Sequence, residues 1–327
     1  MDQAARRRRR EESHRRVVRQ RRLVAGGVVV VAVAGILVAT GAQSGPDGGL
    51  KDAAGAAAAP PPPPELPRGG RAIFPRYRVV AFYGAPQDAQ LGELGIGSPA
   101  AVARKLERQA RPYRRAGGRP TLPAFELIST VASGSPGAEG RYSYRQPHRV
   151  IDRYLKAARA AKALLILDIQ PGHVDFMEDV RALQPYLEQP DVGLALDPEW
   201  KVADGQVPGK VIGSVDATEV NRVSAYLAGI VRERKLPQKL LIVHQFTDDM
   251  IQRKELLTQP PGVALALNVD GFGNQAVKIA KYHEFTRAPA AQRFQKGLKL
   301  FYHEDTGLMT PRQVLRLRPR PSLVVYE

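Results

Sequence analysis

The amino-acid sequence predicts an α/β protein in which a (β/α)8 TIM barrel follows a single N-terminal transmembrane helix and a Pro-rich linker. Three observations predict this fold. Eight short apolar runs recur over about 250 residues, which is the usual length of such a barrel. Stretches with helical spacing of apolar residues separate these runs. Most of the runs are continuously apolar rather than alternating, which is typical of strands buried on both faces.

The N-terminal part of the chain predicts a membrane attachment. Residues 1–22 contain ten arginines and three acidic residues and predict a basic cytoplasmic segment. Residues 23–42 carry no charge, and about 20 apolar residues span a bilayer. Because the arginines lie on one side only, we expect a single-pass anchor in the cell membrane, with the N-terminus cytoplasmic and the barrel extracytoplasmic. A cleaved signal peptide is the alternative.

Residues 43–70 predict a linker. They are rich in Ala and Gly and include five consecutive prolines at 60–64, a composition that forms a semi-rigid spacer rather than a core. Residues 71–327 form the predicted barrel and carry +11 of the formal net charge of +17. This charge predicts attraction to anionic wall polymers. The chain has no cysteine, which excludes a disulfide scaffold, a thiolate metal site and a cysteine nucleophile.

The predicted elements alternate along residues 71–327. The strands are residues 77–84, 121–128, 163–170, 192–198, 239–246, 262–270, 298–305 and 322–327, each bounded by polar, Gly or Pro residues. The helices are residues 98–116, 148–162, 175–189, 218–235 and 274–286, with N-caps expected at Ser98, Thr218 and Asn274. A doubly wound open sheet is the alternative, but Gly92, Gly95 and Gly97 after the first strand do not form its phosphate-binding fingerprint.

Candidate site residues stand where the predicted strands end, because a TIM barrel carries its chemistry at the carboxyl ends of its strands. The predicted substrate-binding residues are Tyr83, Glu126, Asp168, Gln170, Trp200, His244, Gln245, Asp270 and Tyr302.

The fourth predicted strand has the sharpest signal, because it ends in Asp197, Pro198, Glu199 and Trp200. In an extended strand, residues two apart lie on the same face, about 6.6 Å from each other. Paired carboxyl groups suit glycoside cleavage, since their repulsion keeps one of them protonated. The Trp200 ring would support a sugar. The alternative is that Asp197 and Pro198 only begin a turn.

An apolar fourth strand that ends in Asp-x-Glu resembles the barrel glycosyl hydrolases of the chitinase and the Chalaropsis-type lysozyme groups. This resemblance implies that Glu199 is the catalytic proton donor and that Asp197 stabilises it or the substrate. The longer chitinase signature has further aspartates, where this chain has Leu194, Ala195 and Leu196. The chain also looks like a family of exported barrels from high-GC bacteria, a likeness that implies no function.

The sequence therefore predicts an extracytoplasmic glycoside hydrolase acting on a cell-wall or environmental polysaccharide. A carbohydrate polymer and the membrane are the expected partners, without nucleic acid, cofactor or metal. No Gly-x-Ser-x-Gly, Walker-A or His-Glu-x-x-His motif occurs. Two alternatives stay open, a non-catalytic glycan-binding barrel and a metal-dependent hydrolase that uses Glu126, Asp168 and His244.

Overall fold

The structure, a computed structural model, describes residues 62–327, and it confirms a closed parallel α/β barrel. Eight parallel strands each pair with the next, and the last of them pairs with the first. The strands in chain order are β1 (Arg78–Gly84), β2 (Thr121–Ala132), β3 (Ser143–Arg145), β4 (Leu164–Ile169), β5 (Val192–Leu196), β6 (Val215–Asp216), β7 (Lys239–Gln245), β8 (Ile251–Gln252), β9 (Val263–Val269), β10 (Gln295–Leu300) and β11 (Leu323–Tyr326). Three of them lie outside the barrel: β3 is an antiparallel neighbour of β2, and β6 pairs with β8.

The helices lie between the barrel strands in the predicted order. They are α1 (Pro99–Gly117), α2 (His148–Ala160), α3 (Phe176–Ala182), α4 (Gln184–Leu187), α5 (Ala217–Glu233), α6 (Gln275–Arg287) and α7 (Pro311–Arg316). The N-caps expected at Ser98 and Asn274 are confirmed. The cap expected at Thr218 is wrong, because the side chain of Asp216 accepts from the Thr218 amide and caps α5.

The seventh barrel strand differs most from its prediction. It was expected at residues 298–305, whereas β10 runs from Gln295 to Leu300. Lys296 and Lys299 interrupt the apolar run in the sequence, so the predicted strand begins too late. Phe301 and Tyr302 continue the apolar run past Leu300, so the predicted strand also ends too late. The strand is therefore displaced towards the N-terminus relative to the apolar pattern.

Two apolar layers hold the barrel together, and the alternation of side chains along each strand separates them. One layer fills the barrel interior and includes Val79 and Ala81 of β1 and Leu122 and Ala124 of β2. The other layer lies between the strands and the helices, and Val80 is one of its residues.

The segment before β1 closes the amino-terminal end of the barrel. Leu66, Ile73, Phe74 and Tyr77 are buried in the interior layer. The Tyr77 hydroxyl donates to the carbonyl of Arg68 at 2.6 Å, which fixes the segment as it enters the barrel.

The remaining N-terminal predictions lie outside the described residues. These are the basic segment at 1–22, the membrane segment at 23–42 and residues 43–61 of the linker. Between residues 62 and 327, no helix has both the length and the apolar composition needed to cross a bilayer.

The two ends of the barrel carry opposite charge. We call the segments that lead from a barrel strand to the following helix, together with Glu327, the mouth; they are residues 85–98, 133–147, 170–175, 197–216, 246–253, 270–274 and 301–310. The segments that lead into the barrel strands form the base; they are residues 62–77, 118–120, 161–163, 188–191, 234–238, 257–262, 288–294 and 317–322. The mouth holds fourteen acidic and five basic residues, and the base holds three acidic and ten basic residues.

Candidate active site

The barrel strands direct polar side chains into the mouth, because the inward positions of each strand change from apolar to polar at its carboxyl end. In β1 the inward residues are Val79, Ala81 and then Tyr83, and in β2 they are Leu122, Ala124 and then Glu126. The same period of two continues around the barrel. The polar residues that it aligns are Tyr83, Glu126, Asp168, Asp197, His244, Asn268, Asp270, Lys299 and Glu327.

His244 lies at the centre of this group. Its Nδ1 is 2.9 Å from Asp270 Oδ2, and its Nε2 is 2.9 Å from Glu126 Oε1. Burial alone would lower the pKa of His244, but the carboxylates of Asp270 and Glu126 outweigh it and raise the pKa well above its ordinary value. An imidazolium ring can donate to both carboxylates at once. His244 therefore acts as a cation that lies between the carboxylate of Glu126 on β2 and that of Asp270 after β9.

The surroundings of Asp168 favour its neutral, protonated form. Burial raises its pKa well above the ordinary value, and the charges of Asp197 and Glu126 raise it further, against the opposing effect of His244. Its Oδ2 is 3.1 Å from the Tyr83 hydroxyl. Its side chain is fully buried, so Asp168 lies beneath the surface of the mouth.

Lys299 is the second cation of the site. Its Nζ lies 2.7 Å from Glu327 Oε2, 3.6 Å from Asp270 Oδ2 and 3.5 Å from the centre of the Tyr83 ring. Burial would lower the pKa of Lys299, but Glu327 and Asp270 outweigh it and raise the pKa.

The same two cations, Lys299 and His244, lower the pKa of Asp270. Burial would raise the pKa of Asp270, yet the charges of Lys299 and His244 lower it below the ordinary value. One hydrogen-bonded group thus contains Asp168, whose surroundings raise its pKa, and Asp270, whose surroundings lower it.

The predicted geometry of Asp197 and Glu199 is wrong. Strand β5 ends at Leu196, and Pro198–Trp200 form a turn of 3₁₀-helix. The two carboxyl groups therefore do not share one face of a strand, because Pro198 fixes the backbone away from the extended conformation there. Asp197 Oδ2 instead accepts from Trp200 Nε1 at 2.9 Å.

The loop after β5 encloses Glu199. Its side chain is 6% exposed, and its backbone carbonyl accepts from the Gly213 amide at 2.7 Å. A Cβ on Gly213 would lie 2.0 Å from the carbonyl oxygen of Lys201, so only glycine permits this close approach. The loop thereby holds Glu199 and the partly exposed Trp200 at the mouth.

The other predicted binding residues take different positions. The Gln170 amide donates to the Tyr83 hydroxyl at 3.1 Å and so belongs to the central group. Gln245 alternates with His244 and therefore faces out of the interior, where its amide donates to the Thr247 carbonyl. Tyr302 packs against the layer between strands and helices, stacked on Tyr326 at 5.3 Å.

Three residues could hold a metal ion. Glu126, Asp168 and His244 each offer a ligand atom within 4.8 Å of the others, and all three are buried. Glu126 Oε2, Asp168 Oδ1 and Asn268 Oδ1 are buried without a hydrogen-bond partner. His173 is not part of the group, since it stacks on Tyr142 and its Nε2 contacts the Gln206 carbonyl.

Sequence reasoning missed Lys299 altogether and gave no role to Asn268 or Glu327. A lysine between two leucines in an otherwise apolar strand (Leu298, Lys299, Leu300) was the available signal, because a buried lysine needs a partner of opposite charge.

No protein-family model matches the chain, and no curated protein matches it. Among solved structures, it is similar to a catalytic lysine mutant of sialic acid aldolase from Ruminococcus gnavus, with 12% identity over 77% of this chain and 68% of the aldolase and a TM-score of 0.38. It is also similar to the β-glucuronidase of Parabacteroides merdae, with 9% identity over 76% of this chain and 31% of that chain and a TM-score of 0.37. Neither is a chitinase or a Chalaropsis-type lysozyme, so the resemblance to those groups stays a prediction.

Proposed function

We propose that the barrel is a glycoside hydrolase that cleaves a polysaccharide with carboxyl groups of its mouth. One observation carries the proposal: five barrel strands or strand ends direct a carboxyl group to the same end of the barrel, and these are Glu126, Asp168, Asp197, Asp270 and Glu327. Glycoside cleavage needs one carboxylic acid and one carboxylate. The opposite pKa shifts of Asp168 and Asp270 support the proposal in one respect: the surroundings at this end of the barrel favour the neutral form of one carboxyl group and the ionised form of another.

In this proposal, Glu199 donates the proton to the leaving group and Asp197 stabilises it. Asp270 is the ionised carboxylate that faces the developing positive charge. Glu199 and Asp270 are 6% and 7% exposed, whereas Glu126 and Asp168 are fully buried. Of these four, only Glu199 and Asp270 have exposed area, so the proposal places them against the substrate and places Glu126 and Asp168 beneath it.

Trp200 supports a sugar-binding role for the mouth. Its indole N–H donates to Asp197, which fixes the ring beside the carboxyl groups, and the side chain stays partly exposed. An aromatic face offers the apolar area on which a sugar ring can stack. We propose a wall or environmental polysaccharide as the substrate, since the predicted membrane segment at 23–42 would place the barrel outside the cytoplasm.

The test is to incubate the full chain with purified cell wall and with a panel of soluble glycans, and to measure the reducing ends released. The proposal expects release from at least one glycan, unchanged by a chelator. Binding without release would favour a glycan-binding barrel instead.

A metal-dependent hydrolase is the second candidate function. It is favoured by the buried acceptor atoms of Glu126 and Asp168 that lack partners next to His244. Asp270 would hold His244 Nδ1 so that Nε2 can bind a metal ion, an arrangement common around metal ligands. The observation expected for this candidate is stoichiometric Zn²⁺ or Mn²⁺ in the purified full chain, together with activity that a chelator abolishes. A metal-free protein with full activity would exclude it.

A further inference from the structure

The base of the barrel is a cationic surface. Of its ten basic residues nine are exposed, whereas Glu65 is the one exposed acidic residue of the base. Within residues 62–327, only Arg68 and Arg234 of these ten form ion pairs, with Glu107 and Glu188. The charge of the other eight is therefore not neutralised by carboxylates of the described chain.

Two arginines of the base, Arg119 and Arg320, act as like charges on the buried guanidinium of Arg78, the first residue of β1. The guanidinium of Arg78 is buried, and its Nη1 has no hydrogen-bond partner. Burial, together with the like charges of Arg119 and Arg320, lowers the pKa of Arg78 to about 10. Arg119 and Arg320 are exposed beside it. Such a cluster is unfavourable by itself and is stabilised when an anion binds.

Helix capping explains only part of this surface. Arg320 donates to the Leu315 carbonyl at the end of α7, and Arg71 donates to two carbonyls after α5. These bonds satisfy the carbonyls and favour basic residues at helix ends, but they leave the positive charge in place. Arg76, Arg119 and Lys162 make no such bond and no ion pair within the described residues, so a role in capping does not account for them.

The position of the base in the chain indicates what it faces. Residues 62–77 enter the barrel through the base, so this end lies nearest in sequence to the uncharged segment at 23–42. A groove of about 620 Å³, lined by Pro67, Arg68, Gly69, Ala160, Ala161 and Lys162, opens on the same surface. Its cationic lining and its size suit a phosphate-bearing headgroup.

We propose that the base docks on a bilayer containing anionic phospholipid, with the exposed Arg119 and Arg320 at the centre of the contact, the buried Arg78 beneath them, and the mouth turned away from the membrane. Juxtamembrane basic residues are attracted to anionic lipid over about one screening length. Docked in this way, the acidic mouth is held open to polymers beyond the membrane instead of being rotated towards the lipid.

The absence of cysteine permits a direct test with single labels in the full chain. Ala72→Cys places a fluorophore in the base, and Ala203→Cys places one in the mouth, since both alanines are exposed. Energy transfer to an acceptor-labelled headgroup is measured in vesicles of phosphatidylcholine alone and of phosphatidylcholine mixed with phosphatidylglycerol. We expect phosphatidylglycerol to raise transfer from position 72 more than from position 203, and high salt to remove the difference.

Charge reversals identify the surface responsible. Arg76→Glu, Arg119→Glu and Lys162→Glu are combined in one variant, and Arg104→Glu, Arg149→Glu and Arg181→Glu on the helix faces form a control with the same net charge; all six residues are exposed. The base variant should lower the ratio of docked to undocked protein by about fivefold or more for each residue changed. The control should change this ratio little. Residues 1–61 are the same in both proteins, so their own lipid binding cancels.

The proposal fails if phosphatidylglycerol has no effect on the label at position 72, or if the control reduces docking as much as the base variant does. It fails equally if a soluble glycerol phosphate polymer displaces the base from the vesicles at a lower phosphate concentration than the lipid presents, since the polymer is then the partner. Hydrolysis of a soluble glycan by the base variant, measured in parallel, is expected to be unchanged, which separates this test from that of the mouth.

Discussion

Two buried lysines at opposite ends of this barrel differ in their acidic partners: Lys299, near the mouth, forms ion pairs with carboxylates, and Lys239, near the base, forms none within the described residues. Lys299 contacts Glu327 and Asp270, and its pKa is raised. Lys239, at the start of β7, donates only to the carbonyls of Gln189 and Val192 at 2.8 and 2.7 Å, and burial lowers its pKa to about 7. The comparison teaches that burial alone does not determine a lysine's charge. At Lys299 the charges of Glu327 and Asp270 outweigh burial, whereas at Lys239 the charge of Asp191 does not.

The largest effect on stability is expected when His244, the cation between Glu126 and Asp270, is removed. In His244→Ala, the carboxylates of Glu126 and Asp270 lose the ring between them, and we expect unfolding free energy to fall by about 3 to 5 kcal/mol at neutral pH. The loss should shrink as pH falls, because buried carboxylates without a cation take up protons. Urea unfolding of the variant and of the exposed control His303→Gln tests this, and equal stability of the two would refute it.

The next contrast is between two carboxyl groups of the mouth. Asp270→Asn removes an ionised partner of Lys299 and His244 and should destabilise the protein by about 2 to 3 kcal/mol. Asp168→Asn replaces a neutral acid by a neutral amide and should cost about 1 kcal/mol or less. Thermal unfolding near pH 7 compares them directly. If Asp168→Asn is the more damaging of the two, the assignment of their charges is reversed.

Lys239 gives the base its own pH dependence. The unfolded chain binds one proton more than the folded chain between pH 7 and the ordinary pKa of 10.5, so the stability contributed here rises with pH across that window. The slope is at most about 1.4 kcal/mol per pH unit. The variant Lys239→Met lacks this pH-dependent contribution, because methionine does not titrate. Denaturant unfolding of both proteins from neutral to alkaline pH should give a difference that grows with pH, and a constant difference would contradict the depressed pKa.

The smallest effect is expected on the surface of the base. Arg119→Ala removes an exposed charge that repels Arg78 and should change stability by no more than about 0.5 kcal/mol, with a gain favoured over a loss. Differential scanning calorimetry measures it. A loss well above about 1 kcal/mol would mean that the basic residues of this surface serve the fold itself.

Much of the fold could be predicted because its signals are local. The eight apolar runs gave the barrel, and side-chain caps gave the starts of α1 and α6 at Ser98 and Asn274. Pro185 splits the single helix expected at 175–189 into α3 and α4, a break that its sequence position allowed. Seven of the barrel strands lie where the apolar pattern puts them, and β10 does not, because Lys296 and Lys299 are buried against that pattern.

The site was harder to predict because it depends on contacts between distant strands. Glu126 and His244 were both candidates, but their direct contact joins residues 118 apart in the chain. The spacing of Asp197 and Glu199 predicted two carboxyl groups on one face of a strand. Pro198 instead begins a 3₁₀ turn, so the two side chains do not share a strand face. Lys299 was overlooked because its partner Glu327 follows a different strand, β11, which pairs with β10 only in the folded barrel.

We propose that the mouth cleaves a glycosidic bond with Glu199 as the proton donor. The direct measurement is the rate at which reducing ends are released from a responsive glycan by the wild-type full chain and by Glu199→Gln, at equal concentration and with equal melting temperature. An amide keeps the shape of the side chain but cannot donate the proton, so the account predicts at least a hundredfold lower rate, roughly the contribution of a general acid, with glycan binding retained. Full activity of Glu199→Gln would contradict it.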